Sequence, residues 1–441
     1  MAERKRKAIT EALDQVHSFL APVRRLPDDI LFLIFQEFQH DERTTLLDLM
    51  AVCRKWHGVV SGHPALWTHI SILPKDFIYG SPRRVPSTKR IYAYLTRSRK
   101  ALLDIIIDLP KDGDMHEMCR RGWDWDNDDP DHDRSSCDRV RDVYLKLGTL
   151  LGILVGIEGC HMKRWKSFLF LHHSPRWLKK YCDLRVLQYP APQLQELVLR
   201  EWVPEHTFGE TPRLSRLVLQ EYRGLGSLGL VMSSITELTV HLVGWVRNID
   251  ALFQLLSLCH HLKVFRVHTE WHRKGQLQSA PKPRLSLPSL QDLEVQTWAG
   301  FDYVLATLDL PNLINLDVRV IEGEDNYGAI PLRQTQWPTW FQRIRRLGIE
   351  LPESSATKLQ SLLGEAQEVE ALVVGPRIRK IVEEMLAVDL ALCPKLQELR
   401  AVSYTRASYD RLLWFSAPFS VIPLSHSANF SVIPFSTRQA S

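Results

Sequence analysis

Apolar and polar residues follow two different spacings along this chain. From Arg24 to Phe35 the sequence reads RRLPDDILFLIF, and Ile30 to Phe35 are apolar without a break. At about 100° per residue such a run sends apolar side chains around the whole circumference of a helix, more than a small domain covers by itself. Beyond residue 100 an apolar residue recurs instead at n, n+3 and n+5: Leu194, Leu197, Leu199; Leu214, Leu217, Leu219; Ile235, Leu238, Val240; Leu262, Phe265, Val267; Leu290, Leu293, Val295; Leu313, Leu316, Val318; Ile344, Leu347, Ile349; Val369, Leu372, Val374. Trp165, Phe168 and Phe170 fit upstream, and Leu396, Leu399 and Ala401 fit weakly downstream. Units start 20 to 31 residues apart, the interval at which one strand and one helix or turn form each turn of a solenoid.

Proline stands two residues before the first apolar position at Pro192, Pro212, Pro288, Pro311 and Pro394, where it stops a helix and sets the chain extended. The spacers predict helices over Ile249 to Leu258, Ala356 to Ala366 and Arg377 to Leu392. Upstream, Ile9, Leu13, Val16 and Leu20 predict a lead-in helix over residues 5–20. Pro27 suits a first helical turn and Asp28 and Asp29 suit its positive end, so a helix should run from there to about Phe38. After the polar residues 40–45, Leu46, Leu49, Met50, Cys53 and Trp56 share one side of a helix expected over Leu46 to Val60, with Cys53 buried in it. Gly62 and Pro64 end it, a strand-like WTHISIL follows, and Arg90 to Leu109 reads as helix then strand. Asp112 to Arg141, rich in aspartate and carrying Trp123 and Trp125, reads as a solvated insertion. From about Tyr404 the leucine pattern is lost and FSVIP occurs twice, so the tail is expected to be poorly ordered.

Composition then narrows the class. The 441 residues, 45% hydrophobic and 24% charged, suggest two or three globular domains. Fifty-six basic against 51 acidic residues give no general affinity for polyanions, so no nucleic-acid partner is expected. The seven cysteines form no CxxC pair and no disulfide framework, which fits a reducing compartment. No apolar h-region follows the basic N-terminus and no window reaches about 18 apolar residues, so the expectation is an intracellular protein, cytoplasmic or nuclear, with no membrane partner. The RKRK cluster reads as a solvated helix start rather than an import signal, and Asn429 forms a glycosylation sequon with no secretory route.

Chemical motifs add nothing catalytic. Gly224, Gly226 and Gly229 match G-x-G-x-x-G, but about five residues separate them from the next strand, too few for the helix a dinucleotide needs, so a tight repeat turn is expected. Asp124, Asp126 and Asp128 resemble an EF-hand start, yet Asp129 replaces the required glycine and Ser135 the final glutamate. The pairs His172-His173 and His260-His261 lack ligand spacing. No metal, no cofactor and no catalytic residue is expected.

Leu26-Pro27-Asp28-Asp29-Ile30-Leu31, Ile34-Phe35, Val52-Cys53-Arg54-Lys55-Trp56 and Pro64-Ala65-Leu66-Trp67 together resemble the F-box of large families of fungal F-box proteins. Asp29 stands where the family usually has glutamate. The resemblance implies a small helical domain that docks on a Skp-type adaptor and through it on a cullin scaffold, with Leu26, Pro27, Ile30, Leu31, Ile34, Val52 and Trp56 in contact or immediate support. That partner would cover what the domain itself leaves bare.

The downstream units resemble leucine-rich repeats, without the asparagine or cysteine expected after the last strand leucine. Lacking that side-chain ladder, the turns should be irregular. The fold class expected is therefore α/β: a small N-terminal helical F-box followed by an irregular leucine-rich-repeat-like solenoid of strand plus helix units. The expected domains are residues 1–22 (lead-in helix), 23–70 (F-box), 71–164 (linker, junction and the 112–141 insertion), 165–403 (solenoid) and 404–441 (tail). Strand positions between the buried leucines carry mixed charge, which suits a protein partner, and the candidate substrate-binding residues are Arg200, Arg216, His241, Arg266, His268, Asp292, Glu294, Asp317, Arg319 and Trp298. The function expected is a non-catalytic, substrate-recruiting subunit of a Skp-cullin-F-box ubiquitin ligase for an unknown protein substrate. A scaffold that recruits no cullin is the alternative.

Overall fold

The computed structural model describes residues 3–7, 10, 22–38, 46–78, 87–111, 133–172, 178, 180–200, 208–222, 232–243, 247–270, 284–297, 305, 307–320, 339–351, 356–389, 392–401 and 432–434. They divide into two compact units, Met1–Leu194 with Thr207–Thr211, and Gln195–His206 with Pro212–Ser441. Of the lead-in segment, residues 3–7 and 10 are helical and exposed, and the others lie outside the described residues.

The first unit begins with a 3-10 turn, Pro22–Arg25, then α1 (Asp28–Phe38), α2 (Leu46–Val52), α3 (Arg54–Gly62) and a second 3-10 turn, Pro64–Trp67. One helix was expected over Leu46 to Val60, but Cys53 is extended, with φ −163° and ψ 167°, and is half-buried rather than buried within a helix. The break has a steric reason. On one straight helix Leu46 and Val59 would lie about 140° apart, at 100° per residue; turning the chain at Cys53 lets Leu46, Leu49, Val59 and Val60 enter one core with Leu31, Phe35, Leu66 and Trp67.

Strands β1 (His69–Ile72), β2 (Leu103–Asp108) and β3 (Trp165–Leu171) follow, pairing in parallel. Their buried Ile70, Ile72, Leu103, Ile105, Ile107, Phe168 and Phe170 meet the period-2 requirement of a sheet face. Besides a short helix, Pro74–Ile78, two longer ones accompany them: α4 (Ser87–Arg97), which buries Ile91 and Leu95, and α5 (Asp133–Val155), which buries Val143, Tyr144, Leu147, Leu150, Leu151 and Leu154. Helix α5 starts inside the stretch expected as a solvated insertion. Its apolar residues return every three or four positions, and that periodicity outweighs the aspartate-rich composition just before it. Residues 112–132, including the EF-hand-like aspartates, lie outside the described residues.

In the second unit the strands are β4 (Glu196–Arg200), β5 (Arg216–Tyr222), β6 (Glu237–Val243), β7 (Val264–Glu270), β8 (Asp292–Thr297), β9 (Asn315–Val320), β10 (Arg346–Glu350), β11 (Ala371–Val374) and β12 (Glu398–Ala401), paired in parallel in chain order. Helices α6 (Arg247–Ser257), α7 (Ala356–Glu365) and α8 (Arg379–Val388) fill three of the connections, and a short parallel pair, Leu285–Ser286 with Leu308–Asp309, lies between others. Each strand covers n+2 to n+5 or beyond of one unit, with the n, n+3 and n+5 side chains buried from Leu197 and Leu199 through to Leu372 and Val374. This is an α/β solenoid-like unit. Strand β13 (Val432–Pro434), the second copy of FSVIP, pairs antiparallel with β12, so part of the tail expected to be irregular is strand.

The turns entering the strands share one hydrogen-bonding pattern, whereas most of the turns that follow the strands, where irregularity was expected, lie outside the described residues. In unit after unit the amide at n donates to the carbonyl at n−3, as in Ile235 to Met232, Leu262 to Cys259, Leu290 to Leu287 and Leu313 to Leu310. The carbonyl at n+1 then accepts two amides from the next unit: Ser215 accepts from Thr236 and Glu237, Thr236 from Lys263 and Val264, Lys263 from Gln291 and Asp292, Gln291 from Ile314 and Asn315, and the series continues to Glu370 with Gln397 and Glu398. This backbone ladder requires no particular side chain. The Gly224 to Gly229 turn lies outside the described residues.

Candidate functional site

Two surfaces emerge, one in each unit. On α1 the apolar run divides by angle. Leu31 and Phe35 are fully buried and the Phe32 ring packs, tilted by 31°, against His63 at 4.9 Å, whereas Ile30 is 38% and Leu33 54% exposed. Positions i and i+3 share one side of a helix, so Ile30 and Leu33 form a bare apolar strip, with Phe38, 41% exposed, at the helix end. Val52, at the end of α2, is 57% exposed. Burying the exposed half of a side chain such as Leu33 contributes roughly 1 kcal/mol, so this strip is available to a partner.

The strip is held from behind. The Leu31 amide closes the first turn on the Pro27 carbonyl at 3.1 Å, and Asp28 and Asp29 occupy the positive end of the helix. Lys55 on α3 donates to the Leu26 carbonyl at 2.5 Å and lies 3.5 Å from Asp28. Trp56 is half-buried with its ring edge-on to Phe35 at 4.9 Å, and the Trp67 indole donates to the Val60 carbonyl at 2.7 Å beneath the Arg97 guanidinium. Of the residues expected at an adaptor surface, Pro27, Ile30 and Val52 are exposed, Leu26, Ile34 and Trp56 are half-buried, and Leu31 is core, able only to support. Leu33 and Lys55 were absent from that set. An i, i+4 core pair at Leu31 and Phe35 places Leu33 outward, a division that an unbroken apolar run does not show.

In the second unit the outward side chains form one chain of ion pairs. Glu196 on β4 holds Arg216 at 2.8 Å; Arg216 lies 3.7 Å from Glu237; Arg266 lies 3.8 Å from Glu237 and 3.5 Å from Glu294; Arg319 lies 3.3 Å from Glu294 and 2.7 Å from Asp317. Parallel register produces this, because Arg266, Glu294 and Asp317 are direct neighbours across β7, β8 and β9. Beside them His241 and His268 meet edge to face at 6.1 Å. Burial, reinforced by His241, Arg319 and Arg266, pushes the His268 imidazole down to about 3 against an opposing hydrogen bond with Gln296, so it is neutral. Burial also raises Glu294 above the usual carboxylate range, with Asp317 adding to the rise and both arginines opposing it.

Of the residues expected at a substrate surface, Arg216, His241, Arg266, His268, Glu294, Asp317 and Arg319 lie together in this network, with Glu196 and Glu237. Asp292 stands apart, accepting a hydrogen bond from Asn315, and Arg200 sits in register with Gln220. Trp298, like Trp202 and Trp271, lies outside the described residues. His172 is fully buried against the Tyr144 hydroxyl at 3.3 Å, and His260 and His261 are exposed. Among the described residues no group of His, Cys, Asp or Glu is placed to hold a metal ion, and no helix is long and apolar enough to cross a membrane. Cys182, Cys259 and Cys393 are buried, which pushes their thiols up to about 12, 11 and 11, so these three are not activated nucleophiles.

Residues 23–73 match the family model described as F-box-like, which spans α1 to α3, the second 3-10 turn and β1. No curated protein matches the chain.

Proposed function

With an F-box-like domain at residues 23–73 as the premise, we propose that this protein is a substrate-recruiting subunit of a Skp-cullin-F-box ubiquitin ligase. The observation that carries the reading is the bare strip of Ile30 and Leu33 on a helix whose opposite side is fully buried. A domain with a complete core has no internal use for those side chains, and a Skp-type adaptor would cover them. Leu26, Pro27, Ile34 and Val52 extend the surface, and Leu31 and Trp56 support it from within.

The second unit, read as an irregular leucine-rich-repeat-like solenoid, would hold a protein substrate in place. The mechanism is positional. Tethering a substrate beside a ubiquitin-charged enzyme raises its effective concentration, and this chain performs no chemistry. No cofactor is required, and the compartment proposed is cytoplasmic or nuclear.

Co-expression with a Skp-type adaptor and a cullin tests the proposal. Capture of the cullin by this chain only when the adaptor is present supports a ligase receptor. Adaptor captured without cullin, or neither captured, favours an interaction scaffold.

A further inference from the structure

The arginines of the second unit divide into two kinds. Arg216 occupies position n+2 of its unit, in register between Glu196 and Glu237, and pairs with both. Arg346 occupies the same position of a later unit, in register between Asn315 and Ala371. Its neighbours carry no charge. Among the described residues neither Arg346 nor the adjacent Arg345 has a side-chain hydrogen bond or ion pair, and both are exposed. Arg343, also exposed, reaches only the Pro311 carbonyl, at 3.4 Å.

Among the described residues, the carboxylates nearby are engaged or form no pair with these arginines. Asp292 accepts from Asn315, Asp317 binds Arg319 at 2.7 Å, and Glu398 binds Arg400 at 2.5 Å. Glu370 follows Arg345 in the backbone ladder and forms no ion pair with it. Ile314, 41% exposed, occupies position n+1 of the preceding unit as Arg345 does of its own, and its carbonyl accepts both the Arg345 and the Arg346 amides at 3.0 and 3.2 Å. An apolar side chain thus stands next to three unneutralised cations.

We propose that Arg343, Arg345 and Arg346 with Ile314 form a docking edge for an acidic segment of a partner protein, one that sets an apolar side chain among aspartates and glutamates. Charge complementarity carries the choice. Each arginine of the ion-pair chain, Arg216, Arg266 and Arg319, is satisfied by carboxylates of this molecule, and among the described residues this edge has none. Nucleic acid fits less well: the three cations lie within four consecutive residues, Arg343 to Arg346, too short a track for several phosphates. The edge deepens the substrate-recruiting reading by naming a substrate chemistry and rests on that reading only for the partner's role. Its test involves no adaptor, so either can fail alone.

The test is fluorescence anisotropy of the full chain with a short labelled peptide of aspartates and glutamates around one leucine. Wild type should bind saturably, more weakly as salt rises. Arg345→Glu/Arg346→Glu should weaken binding roughly tenfold with an unchanged circular dichroism spectrum, since cross-interface like charges cost more than a lost contact. Arg345→Gln/Arg346→Gln should lose less, Ile314→Ser should also weaken binding, and Lys380→Glu, on α8, should have no effect. Absence of saturable binding by wild type, equal binding by the arginine variants, or displacement of the peptide by a single-stranded oligonucleotide that binds more tightly would overturn the proposal.

Discussion

The Lys55 ammonium donates to the Leu26 carbonyl at 2.5 Å, joining the start of α1 to α3 across 29 residues of sequence. The same group lies 3.5 Å from Asp28, so one side chain satisfies a backbone acceptor and a carboxylate at the helix start. Removing it frees the Leu26-Pro27 turn that leads into the exposed strip. Lys55→Met should lower stability by about 1 kcal/mol, read as a fall in thermal midpoint, because the bond is charge-assisted but partly solvated.

Leu31 and Leu33 are two residues apart and belong to opposite environments, 0% and 54% exposed. Leu31→Ala should cost about 3 kcal/mol through lost burial and the cavity left behind. Leu33→Ala should stay within about 0.5 kcal/mol, as exposed substitutions do. Urea unfolding followed by circular dichroism separates the two, and equal costs would show that Leu33 is covered by the chain itself.

Gly348 lies in register with Asp317, and a β-carbon there would sit 2.8 Å from Asp317 Cγ and 2.9 Å from Oδ1. Asp317 is not free to swing away, since it holds Arg319 at 2.7 Å. Gly348→Ala should therefore destabilise the second unit by roughly 1 to 3 kcal/mol, an overpacking cost. In an Arg319→Met background the added cost should shrink, a double-mutant coupling measurable by urea midpoints.

Stability should depend on pH through His268. Its folded pKa, about 3, lies below the ordinary histidine value of 6.5, so the unfolded chain binds more protons between those values. The contribution is complete above about pH 6.5 and is lost as pH falls toward 3. Glu294, raised by burial, acts in the opposite sense, adding stability as pH falls through its folded pKa. His268→Gln should remove the loss of stability that His268 causes as pH falls and leave the opposing effect of Glu294, seen in urea midpoints between pH 7 and pH 4.5.

Much of the fold was legible because the apolar period is a physical requirement of each element. Leu197 and Leu199, or Leu372 and Val374, could be placed in the core from spacing alone, and the helices expected from Ile249, Ala356 and Arg377 begin within two residues of those positions, the last ending at Val388 rather than Leu392. What failed had other causes. Cys53 lies in an apolar run that local spacing reads as continuous, and the break answers to tertiary packing. Asp133 begins a helix whose apolar stripe lies downstream of the composition that suggested a loop. The backbone ladder left no trace in side chains. For the charged face, register decided everything: Arg216 and Arg346 look alike in sequence, and only their neighbouring strands make one paired and the other bare.

The central claim concerns what covers Ile30 and Leu33. Isothermal titration of purified wild-type protein and of Ile30→Asp/Leu33→Asp with a Skp-type adaptor tests it directly. The account predicts tight binding by wild type and loss of binding by the variant, with the thermal midpoint of the free variant unchanged. Equal binding by both, or none by either, would contradict it.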